Sequence, residues 1–176
     1  AHETEADAYG ISLLARAGYA PSASATIWKQ LIEERTRSAA HRRKKYNARS
    51  LAVVSTHPAE GERMESLLET AEVLGRDAAP DRFSDDADAW RKALAPHLST
   101  LLDEQVKLNE PGSSLHIIEG HAATGWNGLL RYQEGEVYRL RNEPGDAALA
   151  SRAYAEAVAL GDAPPEAWRA HGYALL

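Results

Sequence analysis

Residues 135–172 read GEVYRLRNEPGDAALASRAYAEAVALGDAPPEAWRAHG, and this stretch decides the fold. Gly135 and Tyr138 sit three apart, Ala150, Tyr154 and Ala157 recur at intervals of four and three, and Pro164-Pro165 interrupts before Trp168 and Gly172. Steps of three and four put side chains on one face of a helix, and the proline pair marks a new helical start. Small residues let paired helices approach closely, while tyrosines fill the gap between successive pairs. The two glycines are 172 minus 135, or 37, residues apart, so one helical unit is followed by the opening of a second.

Working outward, Trp90, Leu94, Leu98, Leu101 and Leu102 form an apolar stripe. Pro96 should kink or restart that helix, and Pro111-Gly112 should break it before Leu115, Ile117 and Ile118. At the amino end, Tyr9, Leu13, Leu14 and Ala17 predict a helix from His2 to Ala17 stopped by Gly18. Ala25, Ile27, Trp28, Leu31 and Ile32 predict a second helix ending near Glu34 or Arg35, with Thr36 to Ser50 as a polar loop. Pro58 suits a first helical position, and Met64, Leu67, Leu68, Ala71 and Leu74 predict a helix closed by Gly75. The Pro- and Asp-rich segment Arg76 to Asp88 reads as a linker between domains at residues 1–78 and 79–176. Alanine-rich composition with a single Phe favours helices over strands. The expected class is all-α.

A formal net charge of -6 leaves no global positive field for a phosphate backbone, so nucleic acid is not an expected partner. The basic run Arg42-Arg43-Lys44-Lys45 reads as a solvated loop. Absence of cysteine excludes disulfides and thiolate metal sites. No stretch approaches the roughly 20 apolar residues of a membrane span. The opening Ala1-His2-Glu3 looks like the middle of a longer protein.

One motif carries potential chemistry. Glu3 and Asp7 are four apart, so their carboxylates share a helical face one turn apart. Two readings stand on spacing alone: an acidic first turn favoured by the helix dipole, or one metal-ligating carboxylate with a second that accepts an N–H from a ligating histidine. No HExxH occurs among the seven histidines, so two imidazole ligands and a general base are missing. His116 and His121 are five apart, which rotates them about 140 degrees off a common face; surface or interface histidines are expected. Trp126 between Gly125 and Gly128 reads as a packing corner.

Glu3-Thr4-Glu5-Ala6-Asp7 with Gly10, then Ala17-Gly18-Tyr19, Pro21 and Trp28, is similar to the third-ligand helix and following hairpin of the HtpX- and BepA-like zinc metallopeptidases. Thr56-His57-Pro58 with Arg63 resembles a second block of that family, while Ala20 departs from the aspartate often found before the proline. The tail resembles tetratricopeptide repeats, whose period is about 34 residues. The loop Arg141 to Asp146 could hold the surplus, although a generic helical hairpin gives the same pattern. The metallopeptidase resemblance implies that Glu3 is the third protein ligand of zinc, Asp7 its orienting neighbour, and His57 a regulatory ligand or simply a helix-entry residue. It implies an exported, periplasmic zinc endopeptidase of which this chain is the part after the HExxH helix, inactive and zinc-free alone. Expected partners are the N-terminal catalytic half, protein or peptide substrates recruited by the helical tail, and another copy of the chain over the helix-one face of Glu3, Asp7 and Leu14. The alternative is a non-enzymatic tetratricopeptide adaptor.

Overall fold

The computed structural model describes residues 2–49, 59–76, 82–84 and 86–176. Among these the fold is all-α, as composition and periodicity predict. Contacts group the chain into two compact units, Ala1–Thr36 with Lys45–Ala93, and Arg37–Lys44 with Leu94–Leu176.

The first unit begins with α1 (His2–Arg16), which carries Glu3 and Glu5 in its first turn and Arg16 in its last, both placements that complement the helix dipole. It stops where the glycine signal predicts. Gly18 adopts φ 88°, and the N–H groups of Gly18 and Tyr19 return to the carbonyls of Ala15 and Leu14, a glycine-dependent closure of the last turn. Helix α2 (Ser22–His41) follows, and its residues up to Thr36 belong to this unit. Helix α3 (Glu60–Gly75) packs on α1. Their shared core is small: Ile11, Ala25, Leu67 and Ala71, with Trp28, Met64 and Leu74 against it. At the start of α3 Tyr46 and Arg35 both reach the Glu60 carboxylate, and Arg49 pairs with Glu65. Ser84 exchanges backbone hydrogen bonds with Gly18 and Ala20. Helix α4 (Ala87–Leu94) completes the unit apart from its last residue.

In the second unit Pro96 lies in a single 3₁₀ turn, Ala95–His97, and the chain restarts as α5 (Leu98–Lys107). Pro111 then opens α6 (Pro111–His121) at a position where its missing N–H costs nothing. The Asn127 side chain accepts from Leu130 N–H and caps α7 (Gly128–Arg141), which ends at Asn142 in the left-handed region. Helices α8 (Asp146–Ala159) and α9 (Pro165–Ala174) complete it. Leu102, Val106, Ile118, Leu130 and Val137 form the core of the α5–α7 part. The α7–α8 interface is built from small residues, and Ala150, Ala153 and Ala157 are all buried. Trp126 packs against the core with the Arg131 guanidinium 3.7 Å from its ring centre, a packing corner as expected.

One expectation is corrected. Helix α2 does not end near Arg35 but continues to His41, and Arg37–Lys44 belong to the second unit. Within that unit Arg37 pairs with Glu119, Arg42 pairs with Glu110, and the Ser38 hydroxyl donates to Glu110 at 3.0 Å. A Cβ on Gly112 would stand 2.5 Å from the Arg37 carbonyl oxygen, so only glycine permits this approach. Tertiary partners extend a polar segment that carries no apolar helical spacing of its own.

Candidate functional site

The carboxylates of Glu3 and Asp7 do share a face of α1, and the group that meets them comes from α3. Arg63 donates from Nε to Asp7 Oδ2 at 2.7 Å and from Nη2 to Asp7 Oδ1 at 2.6 Å. Its Nη1 lies 3.1 Å from Glu3 Oε2. The guanidinium therefore bridges both acids, and the ring of Trp28 from α2 lies 4.3 Å beneath it. Such a fork matches a carboxylate in two places at once, which a lysine cannot do. The Arg63 and Asp7 side chains are only 17% and 19% exposed, whereas Glu3 is 34% exposed. Hydrogen bonding to Asp7 raises the Arg63 pKa above its ordinary value, against the opposing effect of burial.

Among the described residues, the N–H groups that Asp7 meets are those of Arg63, one on each carboxylate oxygen. Spacing brought Glu3 and Asp7 together; the role of Arg63 and Trp28 was hidden, because their partners lie 56 and 35 residues away in sequence. The only sequence signal for Arg63 was its place in the second resembling block. His57 lies outside the described residues. His116 and His121 sit on α6, and no cluster of three or more His, Asp or Glu side chains suited to a metal occurs among the described residues. A zinc site needs three protein ligands. One carboxylate held by an arginine does not meet that requirement, and no complete zinc site occurs among the described residues.

A second candidate lies wholly in the other unit. Helices α7, α8 and α9 enclose a groove of about 440 Å³ floored by Ala147, Ala150, Ala170 and Ala174 and walled by Tyr132 and Tyr154. Gly135 makes the wall possible, because a Cβ there would sit 2.3 Å from Tyr154 Cε1. The Tyr154 hydroxyl donates to Glu136 at 2.6 Å, and Arg139 grips the same carboxylate. Burial works to raise the Glu136 pKa, but the bonds from Arg139 and Tyr154 outweigh it and hold it below the usual value. Burial, with the Glu136 and Asp103 charges behind it, pushes the Tyr132 phenol up to about 12. Both phenols are therefore neutral donors at physiological pH, and the groove pairs an apolar floor with polar rims, the usual make-up of a ligand-binding concavity.

Comparison with known proteins bears on the first unit. Residues 1–71 match the family model of peptidase family M48. The match covers the Glu3, Asp7 and Arg63 constellation and supports a relation to metallopeptidases, a family whose members depend on zinc. No curated protein and no solved structure matches the chain. Among the described residues no helix is long and apolar enough to cross a membrane.

Proposed function

We propose that residues 1–71 form the part of an M48-type zinc endopeptidase that follows its HExxH helix, and that Glu3 is the carboxylate ligand this part contributes. One observation carries the reading: within the matched segment a carboxylate on the first turn of α1 is oriented by an arginine that is itself fixed by Asp7 and stacked on Trp28. A ligand held by such a neighbour reaches the metal with little orientational freedom left to lose. The chain alone then lacks peptidase activity, since it supplies neither the imidazoles nor the glutamate base. The groove between α7, α8 and α9 supports a second role, capture of peptide substrates or protein partners in the manner of tetratricopeptide modules in exported members of the HtpX and BepA type.

The test uses elemental analysis and peptide hydrolysis. The 176-residue chain, dialysed against zinc, should retain no stoichiometric metal. The parent protein carrying an HExxH helix should bind one zinc, and Glu3→Gln should lower both zinc retention and hydrolysis at least tenfold. A tight, chelator-sensitive site in the chain alone, or unchanged zinc and activity in Glu3→Gln, overturns the assignment. If the complete reading frame encodes no HExxH, the adaptor reading replaces the enzyme reading.

A further inference from the structure

The tetrapeptide Asn-Glu-Pro-Gly occurs twice, at 109–112 and 142–145, and 142 minus 109 is 33. Both asparagines adopt the left-handed region, at φ 53° and 52°, each just past the end of its helix. A shift of 33 places Asp103 of α5 on Glu136 of α7, so the same register carries an acid in both. Their surroundings differ. Glu136 is gripped by Arg139, three residues on, and by the Tyr154 hydroxyl. Three residues after Asp103 stands Val106, a buried core residue with no charge to offer. Among the described residues the Asp103 carboxylate has one hydrogen bond, from the neutral Gln133 amide to Oδ1 at 2.5 Å, and no ion pair. Lys107, one turn along α5, is taken by Glu104 at 2.7 Å. Gln133 is only 1% exposed, and while its Nε2 serves Asp103, its Oε1 is buried with no partner among the described residues. A buried carbonyl without a donor loses the hydrogen bond it had in water and regains nothing.

Asp103 and Gln133 both line a cleft of about 300 Å³ between α5 and α7, with Val106, Tyr132 and Leu140 as its less polar walls. The other charged groups lining it, Lys107, Glu136 and Arg139, are already paired. We propose that this cleft binds a primary alkylammonium group, whose N–H groups go to Asp103 Oδ2 and Gln133 Oε1 while its alkyl stem lies against Val106, Tyr132 and Leu140. Charge sets the class: a carboxylate with no counter-ion and a buried acceptor with no donor together call for a cation that carries N–H groups. Shape then selects among cations. A guanidinium uses both oxygens of one carboxylate for its fork, and Gln133 already holds Oδ1, whereas an ammonium directs three donors to separate acceptors. A divalent cation needs about six oxygen ligands, and no cluster suited to a metal occurs among the described residues. The Tyr132 ring adds the attraction of an aromatic wall for a positive charge. A lysine side chain and a free alkyl diamine both present this group. The inference goes beyond the peptidase reading and depends neither on zinc nor on the groove beside α8 and α9.

The test is an NMR titration of the full 176-residue chain labelled with nitrogen-15, read at the Gln133 side-chain amide and at the Val106 and Tyr132 backbone amides. Three probes are added separately: Nα-acetyl-lysine N-methylamide, the uncharged norleucine analogue of the same stem length, and putrescine. Saturable shifts are expected with the lysine probe, with affinity at least tenfold above that of the norleucine analogue. Asp103→Asn keeps an oxygen for Gln133 Nε2 but removes the charge, and should weaken the lysine probe at least tenfold. Gln133→Met keeps the length of the stem and removes the buried carbonyl, and should weaken it as well, read at Val106 and Tyr132; circular dichroism and melting curves verify that each variant is folded. Tighter binding of the lysine probe than of putrescine assigns the cleft to a protein side chain, and the reverse assigns it to a free diamine. Three results overturn the proposal: no saturable shift with either amine at millimolar concentration, equal binding of the norleucine analogue, or lysine-probe affinity unchanged in folded Asp103→Asn or Gln133→Met.

Discussion

Replacing Arg63 by Met removes the guanidinium while keeping the length of the stem that lies on Trp28. Two charge-assisted hydrogen bonds to Asp7 and the contact with Glu3 are lost. Bonds of that kind contribute about 1.5–3 kcal/mol when buried, but the side chains involved are 17% and 19% exposed, so solvent screens part of the interaction. About 2 kcal/mol is a fair sum for the fork, and stacking on Trp28 adds about 0.5–1 kcal/mol. Loss of about 2–3 kcal/mol should speed native-state hydrogen exchange of the α1 and α3 amides roughly 30- to 150-fold, with α7 and α8 amides as the internal control. Arg63→Lys keeps the charge but not the fork, and should show an intermediate loss of about 1–1.5 kcal/mol. Exchange within twofold of wild type for Arg63→Met, or an Arg63→Lys chain as protected as wild type, would refute the view that fork geometry holds α3 against the acids of α1.

Three further outcomes are expected. Gly135→Ala places a methyl 2.3 Å from the Tyr154 ring and breaks its bond to Glu136, costing about 2–4 kcal/mol, whereas Gly172→Ala should gain about 0.5–1 kcal/mol from helix propensity; thermal unfolding must show opposite signs. Hydrogen bonding from Arg141 holds the Asp146 carboxyl below its ordinary value, aided by the Glu143 N–H. A depressed folded-state pKa contributes stability that is present above the unfolded value near 4 and disappears as pH falls through the folded value. Acid unfolding curves of Asp146→Asn should lose that part of the pH slope and start about 1–3 kcal/mol less stable at pH 7, and a slope unchanged from wild type counts against it. Finally, Gly112→Ala should push α6 off the end of α2, so that amides 37–41 exchange at least tenfold faster while amides 25–32 do not.

Much of the fold is written locally. Gly18, Pro96 and Pro111 each act through a backbone φ or a missing N–H within a few residues, so helix ends at these places are legible without a structure. The common face of Glu3 and Asp7 is legible too, since helical geometry alone puts residues four apart together. Interactions that cross the chain are not. The extension of α2 to His41 depends on Glu110 and Glu119, about 70 to 80 residues away. Arg63 finds Asp7 only after α1 and α3 have packed.

Sequence by itself thus determined that the chain is helical, where most helices begin or stop, and which two acids stand side by side, because those properties arise from short-range sterics and hydrogen bonding. Tertiary structure alone decided what grips the acids, that Gly135 is filled by Tyr154 while Gly172 stays open, and how far α2 runs. Such outcomes are set by which surfaces meet after the backbone has paid its conformational entropy, and no local pattern encodes that meeting.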